Sequence, residues 1–148
     1  MKLEYLKTQL EIVTGTQIAK VYFDRNHIMN TERVKSYPFV FWDLNSYKSV
    51  MQWTSTSQEK EVVSMKAYCF GYVDKDTLPV TSDANEKMWD SLREKFRVYL
   101  GVVNANAYIS VTNLASMPNE LFPFGVSVDS EVAVSLDVNF NLFCNTSV

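Results

Sequence analysis

The sequence predicts a single α+β domain in which a largely antiparallel sheet packs against one long helix and an N-terminal helix. Residues 131–143 alternate between apolar and other side chains, which is typical of a strand with one buried and one wetter face. Residues 83–100 instead place apolar side chains at helical spacing. The order of helix, strands, helix and strands along the chain indicates α+β with a largely antiparallel sheet.

The composition fits one folded domain over residues 1–148. The length is near the commonest domain size, and no internal repeat, low-complexity tract or linker divides the chain. Apolar residues make up 47% and charged residues 21%, which excludes wholesale disorder. The net charge of −3 gives no global attraction for nucleic acid. Arg93, Lys95 and Arg97 alternate with Glu94 and are interpreted as a solvated helix face.

The opening segment, residues 2–13, is predicted to be a helix that ends before Gly15. One stripe of this helix is apolar and consists of Leu3, Leu6, Leu10 and Val13. Tyr5 and Ile12 lie on the opposite side, so we expect that side to contact a second element or a partner. Residues 17–23 are ambiguous between a strand and a continuation of the helix, and residues 24–36 are expected to be a turn and an irregular segment.

Residues 37–42 are apolar on both faces and predict a strand that is covered on both sides. Pro38 has no amide hydrogen, which places it at the first residue of that strand or at a sheet edge. The turn-forming residues 43–46 are expected to end the strand. Residues 47–60 are interpreted as a hairpin arm or a long loop.

A second long strand is predicted over residues 61–73. One of its faces carries mainly aliphatic and small side chains, and the other carries Tyr68, Phe70 and Tyr72. Residues 74–81, which include Pro79, are expected to connect this strand to the next element.

The clearest helix of the chain is predicted over residues 83–100. Ser82 or Asp83 can cap it, and Glu86 completes a capping box. Its apolar stripe consists of Trp89, Leu92, Phe96, Tyr99 and Leu100. Gly101 stands where a left-handed helix terminator belongs. This helix is therefore expected to lie on the sheet.

The last third of the chain is predicted to return to strands. Residues 107–112 are expected to be the fourth strand, and residues 113–124 a loop that can hold one helical turn. Residues 125–128 are a short strand-like piece that leads through a turn into the final strand. We expect the final strand, residues 131–143, to be able to form a sheet edge.

The chain carries no recognisable motif for catalysis, for a cofactor or for a metal. His27 is the single histidine and lies in a predicted turn without a neighbouring Cys or Ser. Asp74 and Asp76 resemble the start of a calcium loop, but the central Gly and the terminal Glu are missing. Glycine occurs only four times and forms no phosphate-binding loop. We therefore predict no catalytic residue, no cofactor and no bound metal, and we do not expect an enzyme.

The cysteines and the apolar runs indicate where the chain is made. Cys69 and Cys144 fit neither a disulfide framework nor a metal-ligand spacing, so they are predicted to be free, mostly buried thiols. The sequence begins without a signal peptide and has no apolar run long enough to cross a bilayer. We expect synthesis in the cytoplasm and no membrane partner.

Two other functions stay open on the residues alone. A small enzyme or ligand-binding domain can assemble its site from carboxylates on distant segments, which need no local spacing. The aromatic sheet face can also stack on the bases of single-stranded nucleic acid. In that case Lys66 and Lys75, which flank Phe70 and Tyr72, would contact the phosphates.

The chain resembles the connector, tail-terminator and tail-completion proteins of tailed phages. The resemblance rests on a leading helix, a long second strand, one helix, closing strands and the motif Tyr37-Pro38-Phe39-Val40-Phe41-Trp42-Asp43-Leu44-Asn45. The ending is similar to small virion ring proteins of crAss-like phages that infect Bacteroidetes, through Pro123, Phe124, Asp129, Val132, Asp137 and Cys144. The resemblance implies a virion protein, made in the cytoplasm of a bacterial host, that forms a ring around the DNA path without an active site.

A ring subunit needs head-to-tail contacts that close by rotation. Sheet edges, apolar loop residues and a helix with a second apolar side can supply them. We predict that the subunit interface includes Tyr5, Ile12, Tyr47, Trp53, Phe122, Phe124 and Phe143. The expected partners are six or twelve copies of the chain and other tail or portal-proximal virion proteins, while DNA passes through the channel without sequence-specific binding.

Overall fold

The part of the chain that the structure describes has an α+β fold with two helices and one five-stranded sheet. A computed structural model describes residues 2–24, 37–53, 60–72, 82–118 and 131–143. The elements, in chain order, are α1 Lys2–Leu10, β1 Lys20–Asp24, β2 Phe39–Gln52, β3 Lys60–Tyr72, α2 Ser82–Asn104, β4 Ile109–Pro118 and β5 Glu131–Phe143.

The sheet is mostly antiparallel, as the sequence predicts. Its strand order is β1-β2-β3-β5-β4. Only β1 runs parallel to its neighbour, pairing with β2 along Phe39–Asp43, and the three other pairs are antiparallel. The ambiguous segment after the first helix therefore forms a short strand.

The prediction that the last strand forms a sheet edge is wrong. β5 pairs with β3 over its whole length, from Phe143 opposite Lys60 to Glu131 opposite Tyr72. On its other side it pairs with β4, from Leu142 opposite Ile109 to Val134 opposite Pro118. The alternation of apolar residues in β5 reports which face is buried, but it carries no information about how many neighbours a strand has. Among the described strands, the sheet instead ends at β1 and β4.

The prediction that residues 43–46 end the strand that begins near Pro38 is also wrong. These turn-forming residues instead form a bulge inside β2. The register with β3 shifts between Asp43 and Lys48. Within the bulge, the Asp43 carboxylate accepts a hydrogen bond from the Asn45 amide at 2.9 Å, and the Ser46 hydroxyl donates to the Asp43 carbonyl at 2.6 Å. The same hydroxyl accepts from the Lys66 amide at 2.8 Å, which ties the bulge to β3. Pairing resumes at Lys48 and continues to the end of β2.

Three other element ends differ from the predictions. Gly101 does not end α2, because the next turn carries the buried Val103 and helical structure continues to Asn104. α1 ends at Leu10, and Gly15 follows in a left-handed turn with φ of 80°. β4 continues through the predicted loop to Pro118, since a bulge at Thr112 lets the strand keep its pairing with β5.

The main core lies between both helices and one face of the sheet. Its strand residues include Val40, Trp42, Val63, Met65, Ala67, Cys69, Val134, Leu136, Val138, Phe140 and Leu142. Its helix residues are Leu6, Leu10, Leu92, Phe96, Tyr99, Leu100 and Val103. Trp42 stands near the centre, with ring centroids 5.7 Å from Phe96 and 5.8 Å from Phe140.

A second, aromatic core lies on the opposite face of the sheet. It consists of Phe39, Phe41, Tyr68, Phe70 and Ala133, each at most 6% exposed. Phe39 and Phe70 stack with ring centroids 4.7 Å apart. Since Val40 and Trp42 are buried on the helix side, this confirms the prediction that the strand after Pro38 is covered on both faces.

Candidate subunit interface

Five large apolar side chains are exposed at the end of the sheet away from the aromatic core. We call this set the distal apolar group: Val50, Met51, Trp53, Tyr108 and Phe143, which are 40–74% exposed. Scattered apolar residues are normal on a protein surface, whereas a concentration of them marks an interaction site. These five represent most of the nine large apolar side chains that are exposed in the described part of the chain.

Strand pairing brings the distal apolar group together. Met51 of β2 lies opposite Glu61 of β3, which lies opposite Leu142 of β5, and Leu142 lies opposite Ile109 of β4. Trp53 follows the last paired residue of β2, and Tyr108 precedes the first residue of β4. The Phe143 amide donates a hydrogen bond to the Tyr108 carbonyl at 3.0 Å. Three members of the group therefore lie on β2 and β5, and the other two lie next to the ends of β2 and β4.

The turn that leads from α2 into β4 is fixed by one asparagine. The Asn106 side-chain oxygen accepts from the Tyr108 amide at 2.8 Å. Its amide nitrogen donates to the Tyr5 hydroxyl at 2.7 Å and to the Gln9 side-chain oxygen at 3.2 Å. These hydrogen bonds connect α1 to the turn before Tyr108, which belongs to the distal apolar group. They also give the Tyr5 hydroxyl a partner within the chain.

A buried carboxyl group lies at the same end of the sheet, on the helix side. Glu61 is 7% exposed, and the Tyr47 hydroxyl donates to its carboxylate at 3.3 Å. Burial raises the pKa of the Tyr47 hydroxyl, and the charge of Glu61 raises it as well, while a hydrogen bond with Ser49 opposes these effects. This pair anchors the strand after the bulge to β3.

The predicted interface residues fall into three groups. Ile12, Trp53 and Phe143 are exposed, at 41%, 74% and 40%. Tyr5 and Tyr47 are half-buried and pack against the main core. Their hydroxyl groups form hydrogen bonds within the chain, Tyr5 with Asn106 and Tyr47 with Glu61. The remaining two predicted residues, Phe122 and Phe124, lie outside the described residues.

Sequence reasoning missed Val50, Met51 and Tyr108 as exposed apolar residues. Val50 and Met51 lie in residues 47–60, for which the sequence predicts either a hairpin arm or a long loop. The hairpin arm is confirmed, because Lys48–Gln52 pairs with β3 after the bulge. Tyr108 gives no such signal, because its exposure depends on the turn that Asn106 fixes.

Two pairs of oppositely charged residues lie on the exposed side of α2. Arg93 lies 3.4 Å from Asp90, and Arg97 lies 2.5 Å from Glu94, each three residues apart and exposed. The hydrogen bond from Arg97 holds the pKa of the Glu94 carboxyl below its ordinary value. This agrees with the prediction of a solvated helix face, and such exposed pairs contribute little to stability.

The described residues offer little for catalysis. They contain no group of three His, Cys, Asp or Glu side chains placed to hold a metal ion. Cys69 is a free, buried thiol, as predicted, and burial raises its pKa to about 12, so a reactive thiolate does not form near neutral pH. His27, Asp74, Asp76 and Cys144 lie outside the described residues. Neither described helix has the length and apolar composition that crossing a bilayer requires.

The aromatic sheet face is not available to stack on bases. Phe70 and Tyr68 are 0% and 6% exposed, so their rings already pack within the chain. Tyr72 is 53% exposed, but one exposed ring does not form a stacking platform. Lys75, the second predicted phosphate contact, lies outside the described residues.

Comparison with protein-family models gives no match, and comparison with curated proteins gives no significant match.

Proposed function

We propose that this chain is a virion structural protein that assembles with copies of itself into a closed ring, in the tail or at the head–tail junction of a tailed phage. The observation that carries the proposal is the distal apolar group. Val50, Met51 and Phe143 lie on paired strands, Trp53 and Tyr108 lie next to strand ends, and all five are 40–74% exposed in the described part of the chain. Contact with another molecule would bury these side chains and is therefore favourable.

The free energy available from burying these five side chains supports self-assembly. Full burial of one large apolar side chain contributes roughly 1.5–3 kcal/mol. Five side chains that are each about half exposed therefore leave several kcal/mol of favourable burial unused in the monomer, which is enough to drive association when many copies are present.

The placement in a phage rests on the resemblance to connector and tail-completion proteins, which an α+β subunit with a mostly antiparallel sheet fits. The charge balance fits the same role. With 17 acidic and 14 basic residues, a ring of such subunits has no excess of positive charge to grip the DNA that passes through it.

The experiment is to image the purified chain by negative-stain electron microscopy and to locate it in virions by cryo-electron microscopy. We expect closed rings of six or twelve copies in both. Particles that stay monomeric at all micromolar concentrations, together with virions that contain no such ring, would count against the proposal.

A further inference from the structure

We infer that neighbouring copies are joined by strand pairing, with the outer edge of β4 in one copy placed against the outer edge of the second half of β2 in the next. This inference rests on the proposed ring, because it names the surfaces that close it. The proposed ring names the apolar side chains that neighbouring copies bury, and strand pairing names the two sheet edges that meet.

The second half of β2 is an open edge. β1 covers β2 only along Phe39–Asp43, so the stretch Lys48–Gln52 pairs with β3 on one side and with no described strand on the other. Every residue of this stretch is exposed. Its outward amide and carbonyl groups, which pair with no described strand, offer a template for another strand beside Val50 and Met51.

The outer side of β4 is the second open edge. Among the described strands, β4 pairs only with β5. Ala115 and Ser116 point to opposite faces of the sheet and are both exposed, so this part of the strand is accessible from both faces. Charged residues, prolines and bulges block natural edge strands; Ile109–Pro118 contains no charged residue, and its bulge and its proline stand at the two ends of residues 113–117. Within residues 113–117 β5 is the only described strand that pairs with β4, so we expect the contact there.

The strand directions suit a head-to-tail contact. β2 is antiparallel to β3, β3 to β5 and β5 to β4, so β2 and β4 run in opposite directions. When a second copy lies beside the first in the same orientation, β4 of one copy meets β2 of the next as an antiparallel pair. The sheet then continues from copy to copy, and each copy uses one edge of each kind, which is the heterologous contact that closes into a ring.

The side chains at the two edges are compatible. Ala115 and Ser116 are small and leave room for Val50 and Met51. Lys48 is the only charge on the β2 stretch, and β4 carries no like charge to oppose it. Since β1 occupies the first half of β2, the incoming strand is limited to five residues, about 17 Å. Pairing at only one end of β2 shifts neighbouring copies along the strand direction. A closed ring with this shift requires strands that are tilted relative to the ring axis.

The test uses two edge variants, Val50→Lys and Ala115→Lys, since a lysine on an edge strand blocks pairing. Val98→Lys is the matched control, because Val98 is 41% exposed on α2 and lies on neither edge. Oligomeric state is measured by native mass spectrometry and light scattering, and folding by circular dichroism. We expect each edge variant to be a folded monomer and the control to form rings as the parent chain does.

Mixing the two edge variants gives the sharpest result. The Val50→Lys chain retains an intact β4 edge, and the Ala115→Lys chain retains an intact β2 edge, so together they form one junction only. We expect a one-to-one dimer that grows no further. If either variant fails to fold, Met51→Lys and Ser116→Lys replace the pair, because these residues lie on the same two edges and are also exposed.

The remaining outcomes separate the inference from the proposed function. Rings formed by the parent chain and by both edge variants would overturn the strand-pairing inference and leave the ring intact. Loss of assembly in only one variant would indicate that one edge pairs with itself, which also overturns the inference. A parent chain that stays monomeric would overturn the proposed function and the inference together.

Discussion

Trp42 donates its indole N–H to the hydroxyl oxygen of Tyr99 at 3.1 Å, and Tyr99 in turn donates its proton to the carbonyl of Leu10. All three residues are fully buried. These two hydrogen bonds link β2, α2 and the end of α1 inside an otherwise apolar core. It satisfies the carbonyl at the end of α1, which the helix itself leaves without a donor.

Replacing Tyr99 with Phe tests this link. The change leaves the Trp42 indole and the Leu10 carbonyl buried without partners, so we expect the free energy of unfolding to fall by about 2–3 kcal/mol. Urea denaturation followed by tryptophan fluorescence measures it. Tyr108→Phe is the control, because Tyr108 is 40% exposed. Loss of its hydroxyl group is expected to lower the free energy of unfolding by less than about 0.5 kcal/mol. Equal stability of the two variants would contradict this prediction.

Replacing Trp53 with Ala tests the distal apolar group. Trp53 is 74% exposed, so the change is expected to leave the free energy of unfolding within about 0.5 kcal/mol of the parent value. Association between copies is expected to weaken by roughly tenfold or more, as for an aromatic anchor at an interface. Sedimentation velocity over a concentration series measures it. Tyr72→Ala, at another exposed aromatic residue, serves as the control and is expected to leave association unchanged.

Two glycine substitutions are expected to have opposite effects. A Cβ atom on Gly71 would lie 3.0 Å from a methyl carbon of Leu92 and 3.2 Å from the sulfur of Met88, so Gly71→Ala is expected to destabilise by about 1 kcal/mol. Gly101 lies within α2 and a Cβ there meets nothing within 4 Å, so Gly101→Ala is expected to stabilise by about 0.5–1 kcal/mol. Thermal unfolding of both variants gives the signs, and a stabilised Gly71→Ala protein would contradict this packing of β3 against α2.

The buried Cys69 thiol predicts a loss of stability in alkali. Burial raises its pKa to about 12 from an ordinary value of 9.0. Because the folded chain holds the proton more tightly than the unfolded chain, the stabilisation is complete below pH 9 and falls as the pH rises towards 12. The slope approaches about 1.4 kcal/mol per pH unit for this single group.

The measurement is the free energy of unfolding of the parent chain and of Cys69→Ala between pH 8 and pH 11. The variant is expected to lose less stability over that interval, whatever its stability at pH 8. Identical pH dependence in the two proteins would show that the thiol is not protected as described.

The fold class was predictable because each of its signals is local. The alternation in β5, the two-sided apolar run before Trp42 and the helical spacing in α2 each report burial along one element. The position of β5 in the sheet was not predictable, since it depends on pairing with strands that are distant in the sequence. The bulge between Asp43 and Lys48 interrupts the strand pattern, so the sequence left residues 47–60 open between a hairpin arm, which the structure confirms, and a long loop.

The candidate interface was partly predictable. The sequence singles out Trp53 as an aromatic residue in a predicted hairpin arm or loop, and Phe143 as the last residue of the final strand. It gives no indication that the hydroxyls of Tyr5 and Tyr47 are bonded to Asn106 and Glu61 within the chain, because those contacts form only on folding. It also gives no indication that Tyr108 and Met51 lie at the same end of the sheet as Trp53.

The central claim is that copies of this chain cover one another's exposed apolar residues in a closed ring. The most direct measurement is the mass of the purified protein in solution at micromolar concentration, by light scattering or native mass spectrometry. The account predicts a single species of six or twelve copies. A single species at the 17.0 kDa mass of one chain, at every concentration, would contradict it.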